Sequence, residues 1–382
     1  MRILFLAPQP FFIIRGTPIA VLNLLNVLSR LGQQVDLITF PMGENIEIPG
    51  IRVIRAGWRW KDAIVPPGLS FYKIWLDLAL FCKAFFYLMR YPYDVIHAVE
   101  ESAFMAVVFK WIFRKKVIFD MDSDIPDQLK YSGVLQSKLL LWFAAKAESW
   151  TLRKSDLVIT VCQSLSEHAR AVAPKTRCIQ IEDPPLPVLP SSKVPPWDAQ
   201  EKVILYTGNF EIYQGVGLLV EAFLLIRHDY PQMRLVLAGG TKQDLVNILD
   251  KKFHEYLDAC IVCLGKVPME DVALYMQSAT ILVSPRLHGT NTPMKIYSYL
   301  NSGRPVLATK IFSHTQILDD ETAMLVEPDA GSLAKGLKYL LDHPDKAVQM
   351  AQKAKDMIEK KYSISIFEEK IKAVYSYIES KD

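Results

Sequence analysis

Two short segments pair threonine with proline near basic residues, a combination expected where a chain binds phosphate. One segment is Arg15–Pro18, and the other is 289–293, which has Arg286, His288 and Lys295 close by. In each segment a threonine is expected to cap a helix and the proline to occupy its first position. A helix N-terminus presents unpaired N–H groups and the positive end of the helix dipole, so it favours anions. The second segment therefore predicts a phosphate site, with ordinary helix capping as the alternative.

Lys295 is the strongest single candidate for phosphate binding. It falls in the first turn of the predicted helix, where a cation lies unfavourably beside the positive end of the dipole. A bound anion would remove that conflict, whereas a solvated lysine is the alternative. Arg286, a few residues upstream, and Arg15, from the first half of the chain, are the other cations that we expect near the phosphate.

The elements that must position these residues alternate between short apolar runs and helical patterns. In the first half, strands are predicted at 3–7, 35–40, 53–56, 95–97, 116–119 and 157–161, and helices at 19–31 and 136–153. In the second half, strands are predicted at 203–207, 233–238, 260–264, 281–284 and 306–308, and helices at 216–228 and 294–300. This alternation predicts two α/β halves with parallel sheets that face a central cleft. Ligands are expected outside the carboxyl ends of the strands, in the cleft between the two halves. Six prolines between 183 and 196 separate the halves and predict a linker.

The composition bounds the class of protein. The chain has 382 residues, of which 51% are apolar and 22% are charged, so two or three folded domains are expected and disorder is excluded. A net charge of +3 argues against a protein that coats nucleic acid, and we expect no nucleic-acid partner. The mean hydropathy of +0.14 is slightly high, which is compatible with an apolar substrate or a membrane contact.

Several familiar active-site motifs are absent. There is no GxGxxG after the first strand, no GxxxxGKS/T and no GxSxG, which disfavours nicotinamide enzymes, P-loop enzymes and serine hydrolases. Cys260 and Cys263 form a CxxC pair, but the surrounding apolar run favours a buried strand over a redox or metal site. No apolar run is long enough to span a membrane, and the first one is too short for a signal peptide. Scattered thiols are typical of a cytoplasmic protein.

Two segments mix aromatic and basic residues. They are 71–90 and 109–116, the second reading Phe-Lys-Trp-Ile-Phe-Arg-Lys-Lys. Such segments can lie in a membrane interface and attract anionic lipid, so a peripheral membrane contact is one expectation. Ordinary buried helices with basic ends are the alternative.

Four stretches of the second half resemble one known family. They are Gly208-Asn209-Phe210 with the segment 213–223, the segment 284–300, Gly303-Arg304-Pro305-Val306, and Ala308-Thr309. Together they resemble the donor domain of the family 4 retaining glycosyltransferases of the GT-B fold. Gly16, Asp94-Val95-Ile96-His97 and the segment 157–161 agree with this resemblance less specifically. It extends over nearly the whole chain.

The resemblance implies two Rossmann-like domains and a division of labour between them. Residues 1–185 would bind the acceptor, 186–200 would form the linker, 201–362 would bind a nucleotide diphospho-sugar, and 363–382 would return as a helix to the first domain. The acceptor would be a glycan or a lipid-linked molecule. Transfer would proceed with retention of configuration, with no cofactor and no metal ion.

The sequence departs from the family pattern at the donor site. The family's diphosphate-binding arginine and lysine correspond to Asn209 and Gln214, which carry no charge. Two family glutamates correspond to positions at or near Thr290 and Ser298, and a short insertion would place His288 at the first. We hypothesise that Lys295, Arg286 and Arg15 replace the missing cations.

The candidate site residues fall into donor-binding, catalytic and acceptor-binding groups. The expected donor-binding residues are Gly16, Thr17, Gly208, Asn209, Gln214, His288, Thr290, Asn291, Thr292, Lys295 and Ser298. The expected catalytic residues are His97, Lys295 and Arg286; a family histidine near His97 contacts the donor sugar, and a structural histidine is the alternative. The expected acceptor-binding residues are Arg15, Glu100, Glu101 and Asp122. Asp120, Asp122 and Asp124 occupy alternate positions after a strand, and their carboxylate oxygens are ligands that suit Mg²⁺ or Mn²⁺. The resemblance implies no bound metal, and acceptor contact is preferred for Asp122.

The sequence therefore predicts a glycosyltransferase that moves a sugar from a nucleotide diphospho-sugar to a hydroxyl group. Two alternatives stay open. A catalytically silent sugar-nucleotide-binding or scaffold protein would explain the uncharged positions, and a GT-B sugar-nucleotide epimerase would bind the donor without needing an acceptor.

Overall fold

The computed structural model divides the chain into two compact units, each built on one parallel sheet. Unit 1 comprises Met1–Glu182 and Phe367–Asp382, and unit 2 comprises Asp183–Ile366. The residues that the structure describes are 1–58, 70–124, 137–186, 193–198 and 200–380. Much of the predicted linker, 187–192 and 199, lies outside the described residues.

Unit 1 contains a seven-stranded sheet in the order β3-β2-β1-β4-β5-β6-β7. Its strands are β1 (Arg2–Pro10), β2 (Gln34–Phe40), β3 (Ile51–Arg55), β4 (Val95–Val99), β5 (Lys116–Met121), β6 (Leu157–Thr160) and β7 (Arg177–Gln180). Its described helices in this part of the chain are α1 (Gly16–Arg30), α2 (Phe71–Arg90), α3 (Ser102–Phe113), α4 (Lys138–Lys154) and α5 (Gln163–Val172). The residues 3–7 of β1 are fully buried, as expected for a central parallel strand covered on both faces.

Unit 2 contains a six-stranded sheet in the order β10-β9-β8-β11-β12-β13. Its strands are β8 (Lys202–Thr207), β9 (Met233–Ala238), β10 (Ile261–Gly265), β11 (Ile281–Ser284), β12 (Val306–Thr309) and β13 (Met324–Val326). Its described α-helices are α6 (Val216–Ile226), α7 (Lys242–Ile248), α8 (Met269–Ser278), α9 (Met294–Asn301), α10 (Phe312–Thr315), α11 (Ala330–Asp342) and α12 (Pro344–Lys361). Cys263 lies in β10, as the strand interpretation of the CxxC pair predicts.

The final helix, α13 (Ile364–Glu379), packs with unit 1 from Phe367 onward. Lys116 Nζ donates to the carbonyl of Ile378 at 2.8 Å, and Arg30 bonds Glu368 at 2.9 Å. The helix therefore completes unit 1, although it follows unit 2 in the chain.

The predicted α/β class with two parallel sheets is confirmed. The predicted strands are present with small differences at their ends, whereas the sequence did not predict β7 and β13. Both are short, of four and three residues, and neither is fully buried. β7 is half polar, and the apolar run of β13 is too short to be distinguished from other apolar segments.

The predicted caps of two helices are wrong. Helix α1 begins at Gly16 with Arg15 as its N-cap residue, and α9 begins at Met294 with Pro293 as its N-cap residue. Pro293 has φ −67° and ψ 132°, which is extended backbone, so the first helical turn starts one residue later than the Thr-Pro pattern suggested.

Both sheets have the same order of strands around a switch point. In unit 1, β1 lies between β2 and β4; in unit 2, β8 lies between β9 and β11. The connections leave these two positions in opposite directions, which opens a crevice at the carboxyl ends of the strands where ligands bind. The loops that follow β1 and β4, and those that follow β8 and β11, are therefore where a site is expected.

Candidate functional site

Lys295 lies at the switch point of unit 2, in the first turn of α9. Its ammonium group lies 4.0 Å from the centre of the Tyr206 ring and donates to Gln214 Oε1 at 3.2 Å. Burial lowers the pKa of Lys295 well below its usual value, and the nearby positive charge of Arg286 lowers it further. Among the described residues, no carboxylate forms an ion pair with Lys295. Lys295 is therefore a basic group without a carboxylate partner in the described part of the chain, and burial favours its neutral form.

Arg286 follows β11 and lies beside the same crevice. Its Nε donates to the carbonyl of His288 at 2.7 Å, and its Nη1 donates to the carbonyl of Asn291 at 3.2 Å. Its guanidinium carbon lies 5.3 Å from the centre of the Tyr213 ring. Burial lowers the pKa of Arg286 from its usual value. Arg286 therefore fixes the loop 286–291 while adding a second positive charge that no described carboxylate pairs.

A buried histidine, His314, bonds residues of the two strands that precede and support the loop 286–291. His314 Nδ1 lies 2.7 Å from the carbonyl of Thr309, and its Nε2 lies 2.9 Å from Ser284 Oγ. A carbonyl only accepts, so Nδ1 carries the proton and Nε2 accepts from the serine. Burial lowers the pKa of His314 to about 4, which keeps it neutral near pH 7. Thr309 also donates to the carbonyl of Arg286, so β11, β12 and α10 together position the arginine.

Two glycines allow the loops to approach closely. Gly208 has φ +139°, and a Cβ there would lie 3.0 Å from Lys295 Nζ and 2.9 Å from the Tyr206 hydroxyl. Gly215 has φ +72°, and a Cβ there would lie 2.0 Å from the carbonyl oxygen of Pro285. A side chain at either position would displace the groups that hold the two cations.

The hydroxyl of Thr292 is unsatisfied beside the start of α9. Its side chain is buried, with 7% exposed, and Oγ1 has no hydrogen-bond partner among the described residues. Buried hydroxyls nearly always have a partner, and an exception calls for an explanation such as a missing ligand. Thr292, Lys295 and Arg286 are therefore the described groups of unit 2 that a bound anion would best satisfy.

The other predicted donor-binding residues of unit 2 lie around these three with different surroundings. Asn209 and His288 are exposed, while Gln214 is buried against Lys295. The carbonyl of Thr290 accepts from Gln316 at 2.7 Å, and Asn291 accepts from Thr290 through its side chain at 3.2 Å.

Ser298 has a structural contact instead of an open position. Its buried hydroxyl accepts from the backbone N–H of Leu186 at 3.0 Å, which anchors the chain where it enters unit 2. Its role in donor binding stays a prediction.

Glu100 lies at the switch point of unit 1, directly after β4. It has φ +53°, a conformation uncommon for residues other than glycine, and Ser123 Oγ donates to its carboxyl oxygens at 2.8 and 3.0 Å. Burial, together with the charge of Glu101, raises the pKa of Glu100 to about 8. Glu100 is therefore largely protonated near neutral pH, and such shifted carboxyls are concentrated at functional sites.

The neighbouring acceptor candidates are placed differently. Glu101 forms an ion pair with Lys73, which also bonds Asp77 at 3.2 Å. Arg15 and Gly16 are exposed after β1, with Thr17 half-buried in the first turn of α1. Arg15 and Glu100 thus lie in the loops after β1 and β4, the two strands at the switch point of unit 1. Glu101 is instead held in an ion pair.

His97 is buried and bonded on both ring nitrogens. Nε2 lies 3.2 Å from Asp120 Oδ2, so it carries the proton, and Nδ1 accepts from the Tyr375 hydroxyl at 2.8 Å. The ring also stacks on Phe5 at 4.4 Å. Because β4 extends to Val99, His97 lies inside the strand, and Tyr375 of α13 covers its ring. Its predicted contact with a sugar stays a prediction.

The alternating aspartates do not gather at one point. Asp120 bonds His97, whereas Asp124 lies 3.7 Å from His168 Nε2, which is 2.9 Å from Glu148 Oε1. One ligand atom from each of Asp124, Glu148 and His168 lies within 4.8 Å of the others, a grouping that could hold a metal ion. Sequence reasoning missed this cluster because Glu148 and His168 come from α4 and α5. Asp122 is half-buried next to it in the chain.

A cavity of about 960 Å³ lies at the opposite edge of the unit 2 sheet. Its lining includes Thr280, Ile281 and Arg304, which lie where β11 and β12 begin, and Pro196 from the segment before β8. It is therefore distinct from the loops that hold Lys295 and Arg286.

One relative matches this chain over most of its length, and another matches over less than half. The chain is 22% identical over 348 residues to a phosphatidyl-myo-inositol mannosyltransferase of Mycobacterium leprae, which covers 89% of this chain and 87% of that protein. It is 22% identical over 176 residues to a trehalose synthase of Pyrococcus horikoshii, where the match covers 44% of this chain and only 42% of that protein.

Solved structures share the fold over the whole length. A sucrose-phosphate synthase of Thermosynechococcus elongatus has a TM-score of 0.76 and 21% identity, with 100% of both chains covered. Anabaena HepE, solved in complex with UDP and glucose, has a TM-score of 0.73 and 18% identity, with 99% of this chain and 100% of that chain covered. At these identities the likeness establishes the fold.

Family models match both halves. The model of glycosyltransferase family 4 matches residues 14–181, and the model of glycosyl transferases group 1 matches residues 201–343. Together they span well over half of the sequence, with one model on each of the two parallel-sheet units. The chain therefore belongs to the family 4 glycosyltransferases of the GT-B fold.

Proposed function

We propose that the protein transfers a sugar from a nucleotide diphospho-sugar to an acceptor hydroxyl. The observation that carries this proposal is the pair of cations at the unit 2 switch point, Lys295 and Arg286, which lack a carboxylate partner among the described residues. A diphosphate would supply the missing negative charge. It would also give the unsatisfied hydroxyl of Thr292 an acceptor.

The position of Lys295 explains how the site functions without the family's usual cations. Gln214 corresponds to the family lysine, and the ammonium of Lys295 touches its amide oxygen at 3.2 Å. A positive charge thus reaches nearly the same place from α9 instead of from the loop after β8. We infer that Lys295 replaces the family lysine.

The chemistry assigned to these groups is stabilisation of the leaving group. When the bond between the sugar and the diphosphate breaks, negative charge grows on the departing phosphate oxygen. Cations held in place by the fold stabilise that charge without having to reorganise. The protonated form of Lys295 is stabilised most by a bound anion, because burial disfavours its positive charge when no anion is present.

The acceptor is assigned to unit 1, where Glu100 lies at the switch point. A protonated carboxyl can donate a hydrogen bond to a sugar oxygen, and the ionised form can accept the proton of an acceptor hydroxyl. A pKa of about 8 makes both forms accessible near neutral pH. Arg15, exposed after β1, would contribute positive charge to the same crevice.

Retention of configuration and independence from metal ions are part of the proposal. Retention is supported by the family to which the chain belongs. Metal independence is supported by Lys295 and Arg286, which supply the positive charge that a divalent cation supplies in other transferases. Nuclear magnetic resonance of the product's anomeric proton tests the first, and turnover in excess EDTA tests the second.

A lipid-linked acceptor is also proposed. A relative matched over most of its length is named a phosphatidyl-myo-inositol mannosyltransferase. In addition, helices α2, α3 and α4 of unit 1 expose large apolar side chains. A water-soluble glycan acceptor is the competing possibility, and turnover with each class of acceptor distinguishes them.

A second candidate is a protein that binds the donor without turning it over. The observation that favours it is that both family glutamate positions carry uncharged residues, Thr290 and Ser298, with Ser298 bonded to Leu186. Such a protein would bind nucleotide sugars normally but release neither free nucleotide nor glycoside.

The experiment that tests the main proposal is a thermal-shift screen with UDP-, GDP-, ADP- and dTDP-sugars. A ligand that binds the native state raises the melting temperature in proportion to the logarithm of its concentration over Kd. We expect one nucleotide class to raise it, and Lys295→Met to lose the shift while Lys360→Met, a change to an exposed lysine of α12, retains it. No shift with any donor would contradict donor binding, and a shift without product would favour the silent binder.

A further inference from the structure

Helix α2 presents an apolar face to solvent along its whole length. Exposed side chains at Phe71, Trp75, Leu78, Phe86 and Met89 recur at helical spacing, with exposed fractions of 38% to 94%. The opposite face is buried in the unit 1 core. A surface helix normally turns a polar face to water, whereas α2 turns an apolar one. Its 20 residues make the exposed strip about 30 Å long.

The two neighbouring helices continue this face. In α3, Trp111 and Ile112 are 65% and 54% exposed, and in α4, Leu139, Trp142 and Phe143 are 53% to 64% exposed. Monomeric proteins rarely expose contiguous apolar patches of this kind unless they serve an interaction. The exposed apolar side chains of α2, α3 and α4, together with their exposed basic residues, are called the aromatic-basic surface.

Ring contacts join the three helices into one layer. Phe81 of α2 and Phe109 of α3 have ring centres 4.7 Å apart, and Phe104 of α3 and Trp150 of α4 are 5.3 Å apart. The aromatic-basic surface is therefore a single surface with a packed base.

The charges on this surface have one sign. Every exposed residue in the described parts of α2, α3 and α4 is either apolar or basic, and the basic ones are Arg90, Lys146, Arg153 and Lys154. The carboxylates of these helices, Asp77 and Glu148, are not exposed. A partner that complements this surface must be apolar where it meets the aromatic rings and negatively charged around them.

Two lysines lie directly over exposed indole rings. Lys154 Nζ is 5.7 Å from the centre of the Trp111 ring, and Lys146 Nζ is 5.6 Å from that of Trp142. Amphipathic rings with adjacent cations suit the boundary between lipid headgroups and acyl chains, where the ring enters the apolar layer and the ammonium meets phosphate.

We propose that the aromatic-basic surface docks unit 1 onto an anionic lipid bilayer, with α2 lying in the plane of the interface. No helix among the described residues is long and apolar enough to cross a membrane, so the contact is peripheral. This inference does not depend on the proposed glycosyl transfer. A second copy of the chain is a poorer occupant, since a symmetric contact would bring basic residues against basic residues and supply no negative charge.

Vesicle flotation of the full-length protein tests this proposal. The probes are vesicles of pure phosphatidylcholine and vesicles of equal parts phosphatidylcholine and phosphatidylglycerol. We expect the protein to float with the anionic vesicles and to float much less with the neutral ones. Failure to float with anionic vesicles, or equal flotation with both kinds, would overturn the proposal.

Variants locate the contact. The double variant Leu78→Glu, Phe86→Glu is expected to reduce partitioning at least about tenfold, because it places charge in the apolar strip. Lys146→Gln and Lys154→Gln are each expected to reduce partitioning about fivefold on anionic vesicles only. Leu225→Glu, a change to an exposed leucine of α6 in unit 2, is the matched control and should float normally.

Two controls keep the result decisive. The variants change exposed residues, so their unfolding temperatures should match the wild type, which circular dichroism checks. Sedimentation without vesicles should give a monomer. If the wild type is a dimer and the Leu78→Glu, Phe86→Glu variant is a monomer, the surface serves self-association and the lipid proposal is overturned.

Discussion

In unit 1 the loop after β4 holds a carboxyl group whose pKa is raised, whereas in unit 2 the loop after β11 and the first turn of α9 hold two basic groups whose pKa values are lowered. The two sheets have the same strand order around these positions. Glu100 has a raised pKa and Lys295 a lowered one, so burial favours the neutral form in both cases. The same strand order thus positions an acidic group in unit 1 and basic groups in unit 2, both removed from water. The residue types at these positions decide which ligand each site suits.

Each site regains favourable polar interactions when a ligand of the right chemistry binds. A buried cation regains favourable interactions when an anion binds, and a buried carboxylic acid does so when a polar hydroxyl binds. This is the basis on which we propose that unit 2 binds a diphosphate and unit 1 a neutral polyol. This difference matches a donor that carries the negative charge and an acceptor that carries hydroxyl groups.

The largest expected effect concerns Lys295. Lys295→Met should lower turnover about 100- to 1,000-fold, as expected when one group that stabilises a developing negative charge is lost. Steady-state kinetics with the donor found by thermal shift measures this, with Lys360→Met as the control. Turnover within twofold of the wild type would break the assignment of unit 2 as the leaving-group site.

A smaller effect should sharpen the assignment of unit 1. Glu100 titrates near 4.5 when unfolded and near 8 when folded, so between these values the native state binds more protons. Wild-type stability should therefore fall as pH rises from about 5 to 8, and Glu100→Gln should remove most of this fall. Urea unfolding at several pH values measures it, and parallel curves for both proteins would contradict the raised pKa.

The smallest effect separates structure from catalysis at His97. Tyr375→Phe removes the donor to His97 Nδ1 and should cost about 1 kcal/mol of stability. Affinity for the donor should stay unchanged, because α13 belongs to unit 1 and the cations belong to unit 2. Urea unfolding and calorimetry provide the two values. A tenfold loss of donor affinity with unchanged stability would indicate that His97 takes part in donor binding.

The sequence revealed the parts of the site that depend on local pattern. Lys295 and Arg286 were predicted because each follows a recognisable strand and stands beside a helix start. The resemblance also identified Gly208 and Gln214, which the structure places against Lys295. Local spacing was sufficient wherever one strand and its following loop determine the position.

The remaining features depend on contacts between distant parts of the chain. His97 is covered by Tyr375, which is 278 residues away, so no local pattern shows its burial. The support of Arg286 by His314 and the grouping of Glu148 with His168 likewise join separate elements. The threonine cap predicted for α9 failed because Arg286 fixes the loop before that helix, which spacing alone does not reveal.

The central claim is that Lys295 and Arg286 hold the diphosphate of the donor. Its most direct test is calorimetry with the nucleoside diphosphate that gives the largest thermal shift and with the corresponding nucleoside. In the wild type the diphosphate should bind at least about 100-fold more tightly than the nucleoside, from two charged contacts of about 1.5 kcal/mol each. Lys295→Met should reduce this ratio about tenfold or more while nucleoside affinity stays the same. An unchanged ratio in Lys295→Met would contradict the account.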